Sequence, residues 1–209
     1  EDNYTDFNRE KLIPYQISDR GPALGFGDLN GDGQEDIFFG GSKYEPSQIF
    51  IQQDSIFVNQ KMESIQKDSI QENVSATIAD FNNDGKNDLI TTSGGGDFYG
   101  KSEPLMDSYY IQKDTVFTKT ALPEFYQNSS VVRPFDFDND GDLDVFVGGH
   151  TITAKFGAPA SSYLLENDGG SFKVNKNFEA FSKGMVTDAL WSDFDGDGNT
   201  DLILVGEWM

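Results

Sequence analysis

The sequence has no cysteine, one histidine, few basic side chains and no long apolar run, and each shortage removes a class of protein. Without Cys there is no disulfide framework, thiolate metal site or cysteine nucleophile. This says nothing of compartment, because exported chains can lack Cys too. Only 15 Lys and Arg stand against 36 Asp and Glu, a net charge of -21. Such a chain repels phosphate backbones and anionic surfaces, so no nucleic-acid partner is expected. Nothing reaches the roughly 18 apolar residues of a spanning helix, so no membrane insertion is expected either. The chain opens on EDNYTDFNRE without Met and reads as a mature or excised segment. Asn-x-Ser/Thr sequons at Asn3, Asn73 and Asn128 are read as chance matches in an Asn-rich chain.

What is present argues for a packed chain: 36% hydrophobic and 13% aromatic residues, with 18 Phe, outweigh the tendency of an acidic sequence to stay unfolded. The acid has a pattern. DLNGDGQEDI from Asp28, DFNNDGKNDL from Asp80, DFDNDGDLDV from Asp136 and DFDGDGNTDL from Asp193 share D-x-[DN]-x-D-G-x-x-D followed by an apolar residue, at spacings of 52, 56 and 57. A period of that size belongs to supersecondary units that stack.

Each loop lies between two short β-type stretches, for instance PALGFG before and IFFGG after the first, with no helical periodicity. Three units add an outer hairpin, QIFIQQDSIFV, YYIQKDTVFT and YLLENDGGSFKV. The expected fold is all-β: β-propeller blades of four antiparallel strands. A β-sandwich with coincidental acidic turns is the competing architecture.

Counting from the first Asp, positions 1, 3, 5 and 9 are Asp28, Asn30, Asp32 and Asp36; Asp80, Asn82, Asp84 and Asp88; Asp136, Asp138, Asp140 and Asp144; Asp193, Asp195, Asp197 and Asp201. All carry oxygen donors. Position 6 is Gly in every copy (Gly33, Gly85, Gly141, Gly198), which suits a sharp turn. Position 7 varies (Gln34, Lys86, Asp142, Asn199), as expected if only its backbone carbonyl contributes. Hard oxygen ligands without His or Cys suit Ca²⁺, about four ions in all, and clustered carboxylates repel one another unless a cation joins them. An EF-hand would need Glu at position 12, where Phe39, Thr91, Val147 and Leu204 stand. Asp at position 9 is expected to close the cage instead.

These motifs resemble the FG-GAP and VCBS repeats of integrin α-subunit propellers and bacterial surface proteins, and GPALGFGDLNGDGQEDIFFGG is similar to bacterial VCBS-repeat proteins related to cartilage acidic protein. The resemblance implies calcium ligands at the loop positions named above, on one face of a seven- or eight-bladed ring. The literal FGAP at Phe156 to Pro159 lies outside the family's register and is taken as chance.

Phe57, Phe117 and Phe172 precede the next loop's first Asp by 23, 19 and 21 residues, and Phe7 precedes Asp28 by 21. Residues 1–20 are therefore expected to hold the outer strand of a preceding blade and a connection. Residues 21–72, 73–127 and 128–184 form blades 1 to 3, and 185–209 the inner half of blade 4. The chain reads as an arc of a larger ring, with self-association through open blade faces as one outcome.

The expected function is a calcium-binding, noncatalytic module of an extracellular, cell-surface or periplasmic protein that binds a glycan or protein in adhesion. Tyr44, Phe98, Tyr99 and Phe156, in the long connections opposite the acidic loops, are the candidate ligand contacts. The alternative is an accessory or structural part of a polysaccharide-active enzyme. Catalysis within the segment is not expected: His150 reads as a polar loop residue, and Glu45, Glu103 and Glu166 stand in unrelated contexts.

Overall fold

The computed structural model describes residues 5–11, 13–18, 20–114, 116–178 and 184–209. Among them, β1 (Leu24–Gly27), β2 (Asp36–Phe39), β3 (Gln48–Gln53) and β4 (Ile56–Gln60) form one antiparallel sheet in sequence order. A second holds β5 (Asn73–Ala79), β6 (Asp88–Ser93), β7 (Ser108–Lys113) and β8 (Val116–Thr120), and a third β9 (Asn128–Phe135), β10 (Asp144–Thr151), β11 (Tyr163–Asp168) and β12 (Ser171–Val174). The fourth has two strands, β13 (Met185–Ser192) and β14 (Asp201–Glu207). The expected all-β architecture of four-stranded, blade-like sheets is borne out, and every acidic loop joins the first and second strands of its sheet.

The sheets stack face to face, because alternation puts each strand's apolar side chains between neighbours. Phe38, Ile49 and Ile51 of the first sheet meet Ala76, Leu89, Tyr110 and Phe117 of the second. Ile90 and Tyr109 meet Val132, Val145 and Tyr163 across the next junction, and Phe146 and Leu164 meet Val186 and Ala189 across the last. Burying one such aromatic ring contributes roughly 2–3 kcal/mol. The first strands run beside one another, β1 by β5, β5 by β9 and β9 by β13. At Gly27 a Cβ would fall 2.5 Å from Ile78 Cγ2, so only glycine permits that approach. The opposite face of β1 and β2 exposes Leu24, Phe26 and Phe39, and the far face of the fourth sheet exposes Leu190 and Val205.

The segment before β1 departs from expectation. In place of an outer strand over DFNRE, residues Asp6–Arg9 form one helical turn, α1. Its cause is Asp6, whose buried carboxylate accepts bonds from the Ile17 and Ser18 amides, both 3.0 Å, and from the Ser18 hydroxyl at 2.7 Å. That curls the segment back on itself, while Ile13 and Ile17 are buried beneath it. Arg9 then donates to the Gly96 and Asp97 carbonyls at 2.6 and 3.0 Å, and Glu10 accepts the Phe156 amide at 2.7 Å. The segment thus runs as a strap across the end of the sheets opposite the acidic loops. Two sequons, Asn73 and Asn128, start strands and are buried; Asn3 lies outside the described residues.

Candidate metal centres

All four acidic loops adopt one conformation, set by side chains accepting from the loop's own backbone. Asp28 Oδ1 accepts the Gly31 amide at 2.7 Å and Oδ2 the Gly33 amide at 2.7 Å. The position-6 glycine likewise donates to the first aspartate in the other loops, Gly85 to Asp80 at 2.8 Å, Gly141 to Asp136 and Gly198 to Asp193 at 3.0 Å. Position 3 accepts the position-5 amide, and position 5 the position-7 amide, in every copy: in the first loop Asp32 donates to Asn30 and Gln34 to Asp32, both at 2.8 Å. Three alternate side chains are thereby turned to the inside of one tight curl.

Two left-handed residues make the curl. Position 6 has φ between +83 and +97° in all four copies. Position 4 is left-handed too, Gly31 (78°), Asn83 (57°), Asn139 (61°) and Gly196 (77°). The motif's wild-card fourth position is thus restricted to Gly and Asn, the residues that tolerate this region. The signal was in the sequence and was passed over.

Position 9 ties each loop to its sheet. Asp36, Asp88 and Asp144 are buried, and each carboxylate joins its loop to the third strand of its own sheet. Asp36 accepts the Leu29 and Gln52 amides at 2.7 and 2.8 Å; Asp144 accepts the Phe137 and Asn167 amides at 3.0 and 2.8 Å. Asp88 accepts the Gln112 amide and the Tyr109 hydroxyl, both at 2.8 Å. In the fourth loop Asp201 takes the Phe194 amide at 3.0 Å. Position 2 follows the same division: Leu29 and Phe81 are buried between sheets and Phe137 packs against a core, whereas Phe194 is 77% exposed.

The donor set fits a hard divalent cation. Three carboxylate oxygens come within 4.8 Å of one another in Asp136, Asp138 and Asp144, and again in Asp193, Asp195 and Asp197. Burial pushes the carboxyls of Asp36, Asp88 and Asp144 above their usual range, and among the described residues none has an ion pair to Lys or Arg. The Asn30 side-chain amide holds Asp32, and the Asn199 backbone amide Asp197, below that range. A bound cation would offset the cost of gathering these charges. Position-7 side chains divide: Lys86 pairs with Asp114 at 2.9 Å and Asp142 accepts from Asn83 and Gly169, whereas Gln34 and Asn199 donate to the position-5 aspartate of their own loops at 3.2 and 3.0 Å.

On the opposite end, three of the four aromatics singled out from sequence come together. Lys43 lies over both Tyr44 and Phe98, at 5.2 and 5.5 Å, and pairs with Asp97, while Arg9 covers Tyr99 at 5.1 Å. Phe156 is elsewhere, edge-on to Tyr15 and Trp208 at 5.6 and 5.8 Å. His150, expected in a loop, lies in β10 and is fully buried, because that strand continues past its glycine pair. Its Nε2 is 3.3 Å from Glu207, and burial lowers its pKa to about 4. Glu45 and Glu103 stand in two different connections, and Glu166 in β11 pairs with Lys173 at 3.3 Å.

Repeated strand–acidic loop–strand units in stacked four-stranded sheets define a propeller-type repeat. The sequence matches the FG-GAP-like repeat at residues 28–91, 80–147 and 136–204, and the chain belongs to that family. Each match starts on the first aspartate of one loop and ends in the strand after the next. The chain is 29% identical to Homo sapiens cartilage acidic protein 1 over 159 residues, 72% of this chain and 23% of that protein. It is 30% identical to the Mus musculus protein of the same name over 131 residues, 61% of this chain and 20% of that one. The chain thus spans less than a quarter of the curated relatives it matches. No helix among the described residues is long and apolar enough to cross a membrane.

Proposed function

We propose that the chain is a calcium-binding, noncatalytic module of an exported or cell-surface protein, with one Ca²⁺ in each acidic loop. The observation that carries this is a single pattern of amide-to-carboxylate bonds in four loops whose donors are all oxygen. The ligands would be the side chains at positions 1, 3, 5 and 9, namely Asp28, Asn30, Asp32 and Asp36 and their counterparts, with the carbonyls of Gln34, Lys86, Asp142 and Asn199. The ion supplies positive charge: four would move the net charge from -21 to -13. Weak structural sites of this kind suit the millimolar calcium found outside cells. Tyr44, Phe98 and Tyr99, interleaved with Lys43 and Arg9, form the surface for a glycan or protein partner.

The test is calorimetric titration of the calcium-free chain, followed by melting with and without a chelator. About four ions should bind, and each site held at 100 times its Kd should add about 2.7 kcal/mol to stability. A chain that takes up no calcium, and melts identically with and without chelator, would refute the proposal.

A further inference from the structure

Gln52, Gln112 and Asn167 occupy the same place in the three complete sheets, near the end of the third strand, and each backbone amide binds the position-9 aspartate of its own loop at 2.8 Å. The side chains of the latter two reach further. Gln112 Nε2 donates to the Leu29 carbonyl of the first loop at 2.7 Å, and Asn167 Nδ2 to the Phe81 carbonyl of the second at 2.7 Å. Gln112 and Asn167 are 4% and 3% exposed, so these bonds are sheltered from water and costly to leave unmade. The peptide that Gln112 holds by its oxygen points its own N–H, that of Asn30, at Asp28 Oδ1 at 3.2 Å. One residue therefore grips the closing carboxylate of one loop and the peptide between the first two ligands of the loop before it.

We infer that Gln112 and Asn167 couple calcium occupancy of the first three loops, while the fourth loop fills independently; this rests on the calcium proposal above. An ion that draws Asp88 into place tightens Gln112, which restrains the Leu29–Asn30 peptide in the geometry the first loop's ion needs, and Asn167 repeats the connection one sheet on. A rim bond, Asn87 Nδ2 to the Asp28 carbonyl at 2.9 Å, reinforces the first bridge from a more exposed position. Gln52 holds Asp36 in the same way, but its side chain turns to Gln34 and Asp54 of its own sheet. The hydrogen bonds of the fourth loop, among the described residues, all stay within it.

The experiment titrates the full chain with calcium and follows the amide resonances of Gly33, Gly85, Gly141 and Gly198, whose N–H groups report each loop separately. Asp84→Ala, which weakens the second site, should lower the affinity of the first and third by about five-fold or more. Asp195→Ala should leave the first three unchanged. Gln112→Met keeps the backbone amide and removes the bridge together with a 3.0 Å bond to the Asp114 carbonyl of its own hairpin, so the first loop's response to Asp84→Ala should shrink to about two-fold or less. Asn167→Leu should do the same for the third loop, and Gln52→Met should preserve the coupling, which a merely structural role would not predict. Unchanged first- and third-loop affinities in Asp84→Ala, or coupling that survives Gln112→Met, would overturn the inference. If the bridge variants fail to fold, the Asp84→Ala and Asp195→Ala pair decides alone. Four glycine signals indifferent to calcium would instead refute the calcium proposal, and the coupling with it.

Discussion

The second and fourth acidic loops spell nearly the same motif and live in different surroundings. Around the second, Asp88 is fully buried against Gln112 and Tyr109, and Phe81 is sealed between two sheets. Around the fourth, Asp201 is partly exposed and Phe194 stands 77% exposed. The curl itself is the same, down to the position-6 amide on the first aspartate at 2.8 and 3.0 Å. A nine-residue motif therefore builds its own curl, but the third strand and the neighbouring sheet decide how firmly that curl is held.

The largest effect should come from position 2. Phe81→Ala opens a sealed core and should cost about 3–5 kcal/mol, whereas Phe194→Ala should stay within about 0.5 kcal/mol, both read from urea unfolding. Equal costs would erase the distinction between the loops. Next comes position 9, compared in chelator so that ion loss plays no part. Asp88→Ala strands the Gln112 amide and the Tyr109 hydroxyl and should cost about 2–3 kcal/mol, against less than about 1 kcal/mol for Asp201→Ala.

The smallest effect concerns the joint between the third and fourth sheets, where His150 meets Glu207. The folded pKa of His150 is lowered from 6.5 to about 4, so folding favours its neutral form. Its contribution is complete above pH 6.5 and is lost as pH falls towards 4. Both tryptophans, Trp191 and Trp208, lie in or just after the fourth sheet, and Trp191 stacks on Phe135 at 4.9 Å. Acidification over that window should therefore shift the unfolding midpoint followed by tryptophan fluorescence, by more in the native chain than in His150→Gln. Identical pH profiles for the two would rule the joint out as acid-sensitive.

Much of this was legible beforehand. The loops announced themselves by repetition, and the strands by short β-branched and aromatic runs on either side. Position 4 was legible and missed, since Gly, Asn, Asn and Gly look unremarkable until their backbone is seen. The second duty of position 9 left little trace, because its partners are backbone amides 16 to 24 residues away and a backbone amide has no letter of its own. The amide side chains at Gln52, Gln112 and Asn167 were the available hint. The strap over the far end was misjudged because a spacing borrowed from complete sheets was carried to Phe7, while the local cause, a buried Asp6, is a tertiary fact. His150 was misplaced because the glycine pair before it suggested a strand end that pairing with β9 carries on to Thr151.

All four acidic loops emerge from the same end of the stacked sheets, and the strap with Arg9, Lys43 and Lys101 crosses or borders the other. Negative potential is consequently concentrated at the end where the carboxylates converge. Small cations should be drawn to that end faster than diffusion alone would bring them, and the advantage should fade as added salt shortens the Debye length to about 8 Å at physiological ionic strength. Orientation at a charged surface follows from the same asymmetry: the chain should turn its acidic end towards cationic partners and away from anionic ones.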